Sequence, residues 1–273
     1  MRITSHSVFA GHHARAGWLV TAIVLLAACA SSGTQMTKDR IDAIVASPDR
    51  STADRAIDAR RKPAEMLALM GAKPGMVALD VSAARGYTSE LVARAVGPTG
   101  KVYAQNAPRD PARAPPPQAE GASAPVAAAT PATLAERAAA FAQIVPVTRA
   151  FASPVPPEVS NNSLDLVTLI FNYHDFGHMG VNRAQMNRAI FDALKPGGVY
   201  VIADHSGRDG TGISESGTLH RVEEAFVIRE VEASGMKLAE RGNFLRNPAD
   251  PRDRNTPVPA MAKDEFVLKF VKP

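Results

Sequence analysis

Two short polar clusters in the second half of the chain are the first candidates for chemistry. Asn172-Tyr173-His174-Asp175 and Asp204-His205 each follow an apolar run of strand length, Leu164–Phe171 and Val199–Ala203. If both runs are parallel strands, both clusters lie at one carboxyl edge, where open α/β sheets bind their ligands. Imidazole titrates near neutral pH, so His205 reads as a general base and His174 as a second, with Asp175 or Asp204 orienting one of them. No metal is expected, because no helical ligand spacing is recognised among these residues. Ser214 and Ser216 stand in a glycine-rich stretch without the surroundings of a nucleophile elbow.

A third cluster lies upstream. Gly75–Asp80 reads as a short buried strand, Gly86–Val96 as a helix and Lys101–Gln105 as a second strand, so residues 75–106 make one βαβ unit. The turn between the first strand and the helix is Asp80-x-Ser82-x-Ala84-x-Gly86. Such a turn brings backbone close to a ligand and points the helix N-terminus at it.

The elements that position these clusters follow from periodicity and stop signals. Residues 37–47 read as a helix. Ser51-Thr-Ala-Asp54 resembles a capping box opening another, which Pro63 splits into a polar segment (54–62) and an apolar one carrying Met66, Leu67, Leu69 and Met70. Arg55, Arg60, Arg61 and Lys62 on it make a basic cluster that either closes over the site or, the preferred reading, is a solvated face. Residues 107–131 hold seven of the 21 prolines and form a low-complexity loop. Helices are expected over 133–143, 183–194 and 218–234, and Lys195-Pro-Gly-Gly198 is a strong helix stop. Lys237–Arg241 and Glu265–Val271 read as the last strands, the second with the alternation of an antiparallel edge. The fold class is therefore α/β: a Rossmann-like, doubly wound, mostly parallel sheet with an antiparallel edge strand.

With these segments in hand, the chain resembles the class I S-adenosylmethionine (SAM)-dependent methyltransferases. Asp80-x-Ser82-x-Ala84-x-Gly86 stands where that family has acidic-x-Gly-x-Gly-x-Gly, and Leu194-Lys-Pro-Gly-Gly198 and Leu164-Asp165-Leu-Val match two further features. Arg61-Lys-Pro-Ala-Glu65, Val102-Tyr-Ala-Gln-Asn106, Asn172-Tyr-His-Asp175, Leu219-His-Arg221 and Phe244-Leu-Arg-Asn-Pro248 resemble a narrower group of exported bacterial methyltransferases. The resemblance implies SAM as cofactor. It places Asp80, Ser82, Ala84, Gly86, Tyr87, Gln105, Asn106 and Asn172 around the cofactor, and His174, Asp175 and His205 around the acceptor. Two glycine positions are Ser82 and Ala84, where a Cβ costs about 1 kcal/mol or more if the backbone is left-handed. The acid that usually meets the ribose hydroxyls is replaced by Gln105-Asn106, which can hydrogen-bond without charge. The cofactor is thus expected to bind weakly or not at all.

Composition constrains partners and address. The chain has 273 residues, 31 Lys+Arg, 27 Asp+Glu and one Cys, which excludes an intramolecular disulfide and a cysteine zinc cage. Residues 1–28 read as a signal peptide, with an uncharged run from Trp18 to Ala28 too short to span a bilayer. Leu26-Ala-Ala-Cys29 resembles the bacterial lipoprotein signal, which implies lipidation of Cys29, a tether over 29–36, and an envelope location facing the periplasm, on the outer membrane. Translation from Met36 would instead leave the protein cytoplasmic. Removing Arg2 and Arg15 lowers the formal charge from +4 to +2, so no nucleic-acid partner is expected. One domain then spans 37–273, with N-terminal helices over 37–70 and a core over 75–273. Two functions compete. One is a methyltransferase acting on a small-molecule or envelope acceptor. The other is an exported, non-catalytic binding or scaffold lipoprotein on the same fold.

Overall fold

The computed structural model describes residue 1 and residues 36–108 and 131–273. The signal segment, Cys29, nearly all of the tether and most of the 107–131 loop lie outside the described residues.

Thr37 and Ser51 cap α1 (Lys38–Val45) and α2 (Thr52–Arg61) by accepting the backbone N–H three residues on. The Asp54 carboxylate does not close the box: it pairs with Arg137. Lys62 turns left-handed and Pro63 opens α3 (Pro63–Met70), so the proline break falls where the sequence places it. Then come β1 (Val77–Val81), α4 (Tyr87–Val96), β2 (Lys101–Asn106), α5 (Leu134–Ala140), β3 (Ile144–Thr148), β4 (Leu164–Ile170), α6 (Asp175–His178), α7 (Arg183–Ala193), β5 (Leu194–His205), α8 (Glu224–Glu232), β6 (Lys237–Gly242) and β7 (Glu265–Val271).

Among the described residues the strands form one sheet in the order β3-β2-β1-β4-β5-β7-β6, parallel except for β7, which runs antiparallel to both neighbours. Both faces are covered, so the inner strands read as unbroken apolar runs. Ala78, Leu166 and Val201 pack on one face with α3 and α4. Leu79, Val167 and Ile202 pack on the other with Met186 and Ile190 of α7 and Val227 and Val231 of α8. β1 lies between β2 and β4, where strand order reverses, so the crevice above its carboxyl end is the expected ligand position.

Three expectations need correction. β3 is a strand that the sequence reading passes over, because Pro146 sits within it; the edge position tolerates a missing N–H. Lys195-Pro-Gly-Gly198 lies inside β5 rather than ahead of it. The helix expected over 218–234 begins only at Glu224: His220 is left-handed (φ 51°), and Val222 bridges to Ser206 in extended form.

Candidate functional site

The turn after β1 keeps a glycine-loop shape without two of its glycines. Ser82, Ala84 and Gly86 all have left-handed backbone, at φ 58°, 50° and 86°. Only Gly86 adopts this freely, and α5 also needs it small: a Cβ there would meet Leu134 Cδ1 at 2.9 Å and Arg137 Cδ at 3.0 Å. The other two are held by side chains from β2. Gln105 Oε1 accepts from Ser82 N–H (3.1 Å), and the Asn106 amide both accepts from Ala84 N–H (2.8 Å) and donates to Ala84 C=O (3.0 Å). Gln105 is fully buried, and its Nε2 donates to Arg149 C=O. The amides assigned to the ribose are therefore engaged in clamping the loop. Ser82→Gly with Ala84→Gly should relieve the left-handed strain and stabilise the protein by about 1–2 kcal/mol in total. Urea denaturation checks this; a destabilised double variant would show that the clamp leaves no strain to relieve.

Asp80 lies beneath the loop, buried, accepting from the Ser89 and Thr168 hydroxyls at 2.6 and 2.7 Å. Burial pushes its carboxyl up to about 6, against the pull of those hydroxyls. A cavity of about 220 Å³ stands over Asp80, Ser82, Ala84 and Tyr87, walled by Ile170 and roofed by Arg61. Tyr87 packs at the helix start, and its hydroxyl donates to Asp58 (2.7 Å) rather than pointing into the cavity. Arg61 departs from the solvated reading. Its guanidinium lies 4.4 Å from the centre of the Phe171 ring, burial lowers its pKa to about 10, and its Nε has no hydrogen-bond partner. Phe171 is itself left-handed (φ 61°), a strained state for a bulky residue and a common mark of a functional edge. Asn172 beside it is half-buried, with no hydrogen bond from its amide among the described residues.

The second cluster sits at the ends of β4 and β5, as the sequence places it. His174 Nδ1 is 2.6 Å from Asp204 Oδ1, and Asp204 Oδ2 accepts the His174 backbone N–H. Burial would lower the His174 pKa, but Asp204 and Asp175 outweigh it and raise it to about 9, so this ring is cationic at neutral pH. His205 goes the other way: burial lowers its pKa and leaves it neutral. It stacks on Phe171 (5.3 Å between ring centres), with Glu265 Oε1 2.9 Å from its Nδ1 but not aligned for a hydrogen bond. Of the two histidines, His205 is thus the one able to accept a proton.

Three neighbours were not assigned to the site from sequence. His220 Nδ1 lies 2.8 Å from Asp175 Oδ1, and His178 Nδ1 lies 2.9 Å from Ser216 Oγ. His174 and His178 stand four apart, a spacing the sequence does carry and the metal-free reading overlooks. Glu265 reaches the edge from antiparallel β7. Arg221, beside His220, is fully buried and pairs with Asp250. A larger cavity, about 660 Å³, opens between the end of β5, α8 and β6, but Arg241, Arg246 and Arg252 lining it are paired to Glu224 and Asp264.

No family model and no curated protein sequence matches the chain. Solved structures do. An Aquifex aeolicus SAM-dependent methyltransferase superposes with a TM-score of 0.52 at 16% identity, over 87% of this chain and 100% of that one. The 4+2 cyclase SpnF matches with a TM-score of 0.50 at 13% identity, over 81% of each chain. The fold is that of the Rossmann-like methyltransferases, and the second match is a reminder that this fold carries more than one chemistry.

Proposed function

We propose that the protein is a SAM-dependent methyltransferase that binds its cofactor weakly. The observation that carries this reading is the left-handed backbone at 82, 84 and 86 above buried Asp80, at the point where strand order reverses. A loop that no longer has the glycines yet holds their conformation, at a cost in strain, has a shape to preserve. The residues fit the cofactor at Asp80 and at Arg61, whose Nε has no hydrogen-bond partner and suits a carboxylate, whereas the loop N–H groups of Ser82, Ala83, Ala84 and Gly86 are already engaged. Gln105 offers it nothing, and the narrow cavity accounts for weak binding, since pockets for ligands of this size run to roughly 300–1,000 Å³.

SAM, when bound, supplies an electrophilic methyl group. The chain's own contribution is placement and proton removal. Phe171 lies between Arg61, which lines the loop cavity, and His205, and neutral His205 takes the proton of a hydroxyl or amine acceptor. His174, with Nδ1 held by Asp204 and Nε2 beside Asp175, fixes this edge of the acceptor position. The acceptor is a small molecule or an envelope component. Export and lipid anchoring through Cys29 belong to the same proposal; labelling by palmitate in cells supports them, and an unprocessed cytoplasmic product opposes them.

Thermal unfolding tests the reading. At 1 mM SAM and a dissociation constant of about 10–100 μM, ligand binding adds about 1.4–2.7 kcal/mol. For a chain of this size that raises Tm by roughly 3–10 °C. Arg61→Met should weaken binding by about tenfold or more, the loss of one charge-assisted hydrogen bond. A second reading, a non-catalytic binding or scaffold protein, draws on the engaged Gln105 and Asn106 amides. It stands if SAM produces no shift in a protein that unfolds cooperatively.

A further inference from the structure

We propose that His174 Nε2, the Asp175 carboxylate and His220 Nδ1 form a binding site for a divalent first-row transition metal ion of the zinc type. Asp175 Oδ1 is 3.1 Å from His174 Nε2 and 2.8 Å from His220 Nδ1, and all three donor atoms lie within 4.8 Å of one another. Metal–nitrogen and metal–oxygen bonds of about 2.0–2.2 Å put tetrahedral ligand atoms roughly 3.3–3.6 Å apart, so one ion can touch all three after side-chain adjustments of the order of an ångström.

The surroundings are those of a ligand set rather than of a solvated charge cluster. Asp204 is fully buried and holds His174 Nδ1 at 2.6 Å, the carboxylate–histidine arrangement that fixes the tautomer and turns Nε2 outward. His220 approaches from a different segment, in left-handed backbone that sets its ring edge-on to His174 at 5.7 Å. His178 is close by, its Nδ1 3.8 Å from Asp175 Oδ1 and its ring 5.7 Å from His220. The side chains of Asp175 and His220 are 26% and 39% exposed, so the ion would keep open positions for water or an acceptor. Three protein ligands with open positions is the pattern of catalytic rather than structural sites. Two imidazoles and one carboxylate select zinc, iron, cobalt or nickel over magnesium and calcium. The site does not depend on SAM binding. It does adjoin the acceptor position, since the His174 and His205 rings are 5.3 Å apart.

The test uses the untagged full chain, stripped with chelator and titrated with Co²⁺ while its visible absorption is followed. One Co²⁺ per chain should bind saturably, be displaced by Zn²⁺, and resist millimolar Mg²⁺. Asp204→Asn should weaken binding by about 10–100-fold, and His220→Ala and Asp175→Asn by at least as much. His220 is partly exposed, so its variant should keep the wild-type circular dichroism. No Co²⁺ or Zn²⁺ binding below about 1 mM would overturn the proposal, since sites built from such ligands bind far more tightly. So would wild-type affinity in folded His220→Ala, which would place the ion elsewhere.

Discussion

Replacing Asp80 with asparagine is expected to stabilise the protein by about 3 kcal/mol at pH 7 and to change little at pH 3.5. Burial is the dominant cause, pushing the carboxyl from 3.8 to about 6 while the Ser89 and Thr168 hydroxyls pull it back. The sign follows from proton counting. The unfolded chain releases this proton near 3.8 and the folded one near 6, so between those values the folded state holds more protons and stability falls as pH rises. Above 6 the loss is complete, and about two pK units correspond to about 3 kcal/mol. Asparagine is neutral throughout, so it gains nothing below 3.8 and the full amount above 6. It can still hydrogen-bond both hydroxyls, because each hydroxyl can donate or accept. Urea denaturation at the two pH values measures the difference; a pH-independent one would mean that Asp80 is not the titrating group. A buried acid that weakens its own fold at the ligand crevice is better explained by function than by structure. The same variant should therefore lose SAM binding while gaining stability.

Arg137→Met should be the most damaging single change near the site. Arg137 is buried on α5, pairs with Asp54 of α2 at 2.8 Å and with Glu90 of α4, and donates through Nε to Arg85 C=O. It therefore ties three helices together above the loop, and its stem rests on Gly86. Methionine fills much of the volume but leaves buried Asp54 without its ion-pair partner and Glu90 with Arg94 alone, a cost of about 3–5 kcal/mol. At roughly 2–4 °C per kcal/mol for this length, Tm should fall by about 6–20 °C. Adding Asp54→Asn should recover part of the loss, because it removes the uncompensated charge, whereas Glu90 keeps Arg94. A loss that the added substitution deepens would show that packing, not charge, is what Arg137 supplies.

Much of the scaffold was legible because it depends on local signals. The Pro63 break, the Ser51 cap and the Glu265–Val271 strand all follow from a few adjacent residues. The placement of Asp204-His205 and Asn172–Asp175 on one edge follows from two buried runs that pair in parallel, Ile170 opposite Ala203. The loop could not be read this way. Judged by glycine content it is decayed, yet Gln105 and Asn106, more than 20 residues away in sequence, hold its shape. That clamp is a long-range contact with no local signature. Arg61 was misread for a related reason: in a run of basic residues nothing local marks the one that turns inward over Phe171. His220 was hidden within an expected helix, whereas the His174–His178 spacing was visible and unused. β3 was lost to Pro146, which only its edge position makes acceptable.

The strained loop above Asp80 is expected to bind SAM. Isothermal calorimetry of the wild-type chain against SAM, carried to millimolar ligand, tests it most directly. The expected result is a saturable heat with a dissociation constant weaker than about 10 μM, or about −6.8 kcal/mol. This heat should be lost in Asp80→Asn while that variant unfolds at higher temperature than the wild type at pH 7. No heat at millimolar SAM from a folded wild-type protein, or equal heat from both proteins, would contradict it.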